Sequence, residues 1–211
     1  MKLFIKSKGE KIFIPFRKTL KKLMYINEGS YCFNTSHIYT LLSNDYQNLA
    51  LSQMISGNVR LHNTNIQIDG VSVLKKELAD LCCCVGSSSC KKGLFYKPTV
   101  RDEINCGIKH DNSSLCFDNI VNYFSLTHSR LDRLLKHTGN EHWRASLAIG
   151  YANSKKIYCF PYITNQLSSE LIRLRIDEFI IKLKNEGNII IIPSDEKSEL
   201  TKISDIIYQI K

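Results

Sequence analysis

At 211 residues, 43% hydrophobic and 23% charged, the chain has an ordinary globular composition and enough length for one sizeable core, so a single domain is expected. Lys and Arg number 29 against 20 Asp and Glu, a formal charge of +9 that favours anionic neighbours. The basic residues are scattered, with small knots at Arg17-Lys18, Lys21-Lys22, Lys75-Lys76 and Lys155-Lys156, and read first as a solvated surface. No apolar run approaches the roughly 18 residues of a membrane span, and MKLFIKSKGEK is too charged for a signal peptide, so a soluble, cytosolic chain is expected.

In chain order, HIYTLL (residues 37–42) is the first short apolar run of the kind found in strands covered on both faces. NIQIDGVSV (65–73) alternates around an Asp-Gly turn signal and predicts an antiparallel hairpin. A strand is expected at Cys82 to Val85, and KKIYCF (155–160) is another such run. LSSELIRLRIDEFIIKLKNEG carries apolar residues at Leu167, Leu171, Leu174, Phe179, Ile180 and Leu183, close to helical spacing, with Gly187 where a C-cap belongs. NIIIIP (188–193) completes an alternation of helix and strand that reads as α/β with a mainly parallel core.

Eight cysteines form a cluster at Cys82, Cys83, Cys84 and Cys90, with Cys32, Cys106, Cys116 and Cys159 dispersed. The paired spacing of a zinc site is absent, so no metal is expected, and in a reducing compartment these thiols act as small hydrophobes. Six histidines show no H-x-x-x-H or H-E-x-x-H spacing. Trp143, the only tryptophan, reads as a packing residue.

The order of these features resembles the nucleotide-binding domain of ABC transporters over nearly the whole chain. HIYTLL, then SQMISG, then IQIDG fall where that family has the strand into its Walker A loop, the end of the following helix, and a hairpin. GLFYKPTVRDEI (93–104) is similar to the stretch after the Q-loop, and residues 138–164 stand where the signature motif, its helix and the Walker B strand belong. GNIIIIPSDEKSELTKISDIIYQI resembles the strand, switch loop and closing helix. The resemblance implies a P-loop NTPase-like fold over residues 1–211, with a mainly parallel core sheet, an antiparallel amino-terminal edge and a helical subdomain at about 95–150.

The residues at the family's catalytic positions lack its chemistry. A phosphate loop needs glycines to turn backbone N–H groups inward, a Lys for the β- and γ-phosphates and a hydroxyl for magnesium. SNDYQNLALS (43–52) has neither glycine nor lysine, and Asn48 or Leu49 takes the lysine position. Pro161 and Tyr162 replace the Walker B carboxylates, Ser87 falls near the Q-loop glutamine, and Asp195 aligns with the switch histidine. Thr138, Gly139, Asn140 and Glu141 partly match the signature, although Thr138 and Glu141 also read as a capping box for the next helix.

What the resemblance implies is a catalytically degenerate ABC subunit, with no cofactor and no ATPase activity, lying peripherally on the inner face of the cell membrane. Its expected partners are an intact ABC ATPase subunit, in a head-to-tail dimer, and a transmembrane subunit docked beside the Q-loop region. Phe95, Val100, Arg101 and Ile104 are the expected partner-binding residues, and the setting is a transport, peptide-export or immunity complex. No nucleic-acid partner is expected on this reading. The alternative is an independent basic regulatory or nucleic-acid-binding protein on the same fold, drawing on the +9 charge.

Overall fold

The structure is a computed structural model that describes residues 1–15, 21–43, 47–59, 63–87, 97–110, 115–195 and 198–210. Two sheets organise it. Strands β1 (Lys2–Pro15), β2 (Lys21–Asn34), β4 (Thr64–Ile68) and β5 (Val71–Ser72) form an antiparallel sheet in the order β2-β1-β4-β5. Strands β3 (His37–Leu42), β6 (Cys82–Cys84), β7 (Ile157–Cys159), β8 (Ile189–Ser194) and β9 (Ile206–Gln209) form a parallel sheet in the order β6-β7-β8-β3-β9. The expected antiparallel amino-terminal part is present and forms a four-stranded sheet of its own beside the parallel core. Long β1 and β2 pair with each other, and β4 adds to β1.

Gly9, at φ +83°, lets β1 exchange its faces: Leu3, Ile5 and Ser7 point inward before it, Glu10 and Ile12 after it. The Asp-Gly turn between β4 and β5 forms as expected, with φ +51° at Asp69 and +84° at Gly70, the left-handed pair a two-residue hairpin requires.

The parallel sheet is covered on both faces, which is why β8 is buried along its whole length. Tyr39, Leu41, Ile157, Ile189 and Ile191 face α1 (Gln47–Ile55) and the antiparallel sheet. Ile38, Tyr158, Ile190 and Ile192 face the opposite layer. That layer contains α3 (Val100–His110), α4 (Phe117–Tyr123), the short α5 (His128–Leu131), α6 (His142–Ala152), α7 (Asn165–Arg173) and α8 (Ile176–Asn185); α2 (Lys75–Leu81) leads into β6. Burying one such Ile or Leu contributes about 1.5–3 kcal/mol, so this pair of apolar layers dominates the stability.

Two expectations are corrected. LSSELIRLRIDEFIIKLKNEG is two helices, α7 and α8, broken at Leu174-Arg175, where Arg175 takes φ +58°. The break lets α7 meet the 3-10 turn Glu199–Ile203, where Leu200 N donates to Ser168 Oγ at 3.1 Å, while α8 packs on β8. The expected closing helix is that 3-10 turn followed by strand β9, which pairs parallel to β3. Gly187, at φ +86°, ends α8 as expected.

Candidate functional site

In a parallel sheet all carboxyl ends of the strands lie along one margin, and ligands of open α/β sheets bind there. Here that margin carries Leu42-Ser43 after β3, Ser194-Asp195 at the end of β8, Phe160 to Tyr162 after β7, and Val85 to Ser87 after β6. Helix α1 begins at Gln47, over the ends of β3 and β8.

Asn48, in the first turn of α1, is fully buried. Its Nδ2 donates to Leu41 O and to Ser194 O, both at 2.9 Å, so one amide bridges the ends of β3 and β8. Its Oδ1 accepts from Leu49 N at 2.8 Å, and the Leu49 side chain packs against the α1-side core. Further along α1, Ser52 Oγ donates to Phe160 O at 3.3 Å and ties the helix to the end of β7.

After β7 the chain passes through half-buried Pro161 and Tyr162 to Ile163, whose N–H donates to Pro193 O at 2.8 Å. Asp195 sits beyond β8 with a carboxylate oxygen accepting from Asn165 N at 3.1 Å. There it caps the start of α7, together with Thr164, whose hydroxyl accepts from Leu167 N at 3.3 Å.

The turn after β6 is built differently. Gly86, at φ +87°, donates its N–H to Ser146 Oγ at 2.7 Å, and a Cβ there would stand 3.1 Å from the Trp143 ring. Trp143 packs against the helical-side core, the packing role expected of it. Ser87 follows, exposed, on the rim of a cleft of about 410 Å³ between this turn and the segment from Leu134 to His142. Lys97, Lys136 and His142 put cationic or titratable groups around it, and Glu103 lies buried in its wall. No sequence signal marked Lys97, Lys136 and His142 as neighbours, because they come from three separate segments.

The signature-like segment does not form the expected capping box. Thr138 is buried and its hydroxyl donates to Leu135 O at 2.7 Å, not to the helix that follows. Glu141 instead caps the start of α5, accepting from Thr127 N at 3.0 Å and Thr127 Oγ1 at 2.8 Å. The physical reason is the 3-10 turn Gly139–Glu141, which puts Glu141 at the start of α6 and aims its carboxylate across at Thr127. Gly139 and Asn140 are exposed, and Gly139 takes φ +60°, where a Cβ would meet the Arg130 guanidinium at 4.0 Å.

Of the expected partner-binding residues, Phe95 lies outside the described residues. Val100 and Ile104 are packed into the core on the inner face of α3, because the helical spacing of these apolar residues satisfies this chain's own interior. They present no apolar surface to a partner. Arg101 lies on the outer side of α3, with Nε donating to Asp132 at 2.7 Å and its guanidinium over the Phe117 ring. That hydrogen bond holds the Asp132 carboxyl below its ordinary range.

No family model and no curated protein matches the sequence. Solved structures do match the fold. A nucleotide-free ATP-binding cassette from an ABC transporter superposes with a TM-score of 0.66 at 13% identity, covering 100% of this chain and 88% of that one. A putative ABC transporter ATP-binding protein from Pyrococcus furiosus gives 0.64 at 13% identity, covering 100% of this chain and 98% of its own. A dimeric bacterial ABC transporter cassette gives 0.64 at 10% identity, with 99% and 94% covered. The fold is that of an ABC transporter ATP-binding cassette. Asn48 and Ser87 both lie at the carboxyl-terminal margin of the parallel sheet.

Proposed function

We propose that the chain is a catalytically degenerate ATP-binding-cassette subunit, acting as a structural and regulatory partner of an intact ABC ATPase subunit and of a membrane component. It works at the inner face of the cell membrane, in a transport, peptide-export or immunity complex. One observation carries the reading. Asn48, at the start of the helix that would cradle phosphate, directs both amide protons to backbone carbonyls at the ends of β3 and β8.

A magnesium nucleotide does not fit the donor set at the margin. The loop 43–52 has no glycine to turn N–H groups inward and no ammonium for phosphate. Pro161 and Tyr162 bring no carboxylate for magnesium or for a water, and the Asp195 carboxylate serves the start of α7. Phosphoryl transfer depends on positioning and charge stabilisation, and none of its usual parts stands at these positions.

The retained asset is the cleft beside the Gly86-Ser87 turn. It is open, rimmed by Lys97, Lys136 and His142, and supported from beneath by Trp143 and α6. We assign it as the seat of the membrane component, in place of Val100 and Ile104. Arg101, outside the cleft lining, stays a candidate contact, since a partner carboxylate would compete with Asp132 for it.

The test is co-purification of the chain with a transmembrane subunit and an intact ATPase from its native membrane. Ser87→Trp with Lys136→Glu alters two exposed cleft positions without touching the core, and is expected to release the chain from the membrane fraction at least tenfold. Unchanged fractionation of the folded double variant would overturn the assignment.

A further inference from the structure

On the α1 side of the parallel sheet, thiols converge from two neighbouring strands. Cys82 and Cys159 both belong to the core on that side, whereas Cys83 faces the opposite layer. Strand alternation places Cys84 on the same face as Cys82. Cys84 pairs in register with Cys159 of β7. Neighbouring strands lie about 4.8 Å apart, inside the range of about 4.4–6.8 Å that a disulfide bridges between Cα atoms.

The two thiols also share an opening. A cleft of about 370 Å³ reaches them, lined by Gln53, Ser56, Asn58, Cys84, Cys159 and Pro161 among others. Asn58 Nδ2 donates to the Cys84 sulfur at 3.1 Å, a contact that steadies a thiolate when one forms. Cys84 is half-buried and is the thiol nearer to solvent, while Cys159 is buried behind it. Cys82 donates to Ile55 O at 3.0 Å and accepts from Cys159, but it does not line this cleft, where a peroxide would enter.

We propose that Cys84 and Cys159 are an oxidisable pair, converted by hydrogen peroxide entering this cleft into a disulfide that joins the ends of β6 and β7. In the first step the Cys84 sulfur attacks one peroxide oxygen, the O–O bond breaks, and water leaves with Cys84 as the sulfenic acid. In the second, the Cys159 sulfur attacks Cys84, the S–O bond breaks and a second water leaves. Two thiols and one peroxide yield one disulfide and two waters, with two electrons passing from sulfur to oxygen. Burial raises the Cys84 pKa, and the hydrogen bond that the Cys159 thiol donates to Cys82, together with burial, raises that of Cys159, so the reaction is slower than attack by an exposed thiolate. Its structural consequence is direct, because Cys84 leads within two residues into the Gly86-Ser87 turn.

The test uses the full chain with Cys32, Cys90, Cys106 and Cys116 replaced by Ser, which leaves Cys82, Cys83, Cys84 and Cys159 of the eight cysteines. The folded protein is exposed to hydrogen peroxide, unfolded, alkylated with iodoacetamide, digested and weighed. The expected result is loss of two alkylatable thiols and a cross-link between the Cys82–Cys84 peptide and the Cys159 peptide. Cys84→Ala abolishes that cross-link and Cys82→Ser leaves it, with thermal unfolding used to verify that each variant is folded. Should Cys82→Ser fail to fold, the half-buried Cys84→Ala arm decides alone. All four thiols still alkylated, a cross-link that survives Cys84→Ala, or sulfinic acid at Cys84 without a cross-link would each overturn the proposal.

Discussion

The start of α1 and the turn after β6 stand at the same margin of the same sheet and differ. The first is tied to the sheet, because Asn48 bridges Leu41 and Ser194 and leaves no side-chain amide proton for a ligand. The second is held open, with Gly86 tied to Ser146 and Ser87 exposed over a cleft. On our reading this chain fills the first position with structural hydrogen bonds and keeps the second for a partner.

The largest effect that would break this contrast is at Asn48. Asn48→Ala leaves two buried carbonyls without their donor, at about 1–3 kcal/mol each, so denaturant unfolding should show a loss of roughly 2–4 kcal/mol. Asn48→Lys sharpens the point: it restores the family's residue type yet should bring no ATP binding, since the loop still lacks glycine. A loss below about 0.5 kcal/mol in Asn48→Ala would mean that the bridge is incidental.

Glu141 comes next. Glu141→Ala removes the carboxylate that caps Thr127 and should cost about 2 kcal/mol, hydrogen bonds to a charged group being the stronger kind. Glu141→Gln should recover part of that. A capping box at α6 would instead make Thr138→Ala the costlier change.

At the open turn, Gly86→Ala places a Cβ against Trp143 in a left-handed conformation, which should cost about 1–2 kcal/mol. Trp143 is the only tryptophan, so its fluorescence reports the displacement directly. An unshifted spectrum would remove the tryptophan from the support of the turn.

The smallest expected effect lies away from both regions. Burial pushes the Asp205 carboxyl up, but hydrogen bonds from Lys184 and from Ile38 N, with the Lys184 charge, outweigh it and hold it below its ordinary range. A carboxyl depressed in the folded state contributes stability that is present above its unfolded pKa and lost as pH falls through the folded value. The window is therefore below about pH 4. Asp205→Asn should flatten the acid limb of the stability profile there and leave the neutral region within about 1 kcal/mol of the parent.

How far the molecule was legible in the sequence follows from the range of the interactions. HIYTLL and NIIIIP announced themselves because strands covered on both faces must be apolar throughout, and the Asp-Gly turn because φ above zero needs such residues. The β1–β2 hairpin was not read, since the inward face changes at Gly9 and spoils the alternation that marks a strand. The helix over 167–183 looked continuous because Leu174 keeps the apolar spacing across the break at Arg175. At the margin the sequence showed a stretch, 43–52, with neither glycine nor lysine. It gave no sign that Asn48 reaches Ser194, 146 residues away, or that Glu141 turns back to Thr127. Val100 and Ile104 misled for the opposite reason, their apolar spacing matching a docking face and a core face equally well.

The central claim, that the cassette frame persists here without nucleotide chemistry, is tested most directly by calorimetric titration of Mg-ATP into the folded chain. No saturable heat, or binding too weak to saturate and indifferent to magnesium, is the predicted result. Saturable, metal-dependent binding at low micromolar affinity would contradict it.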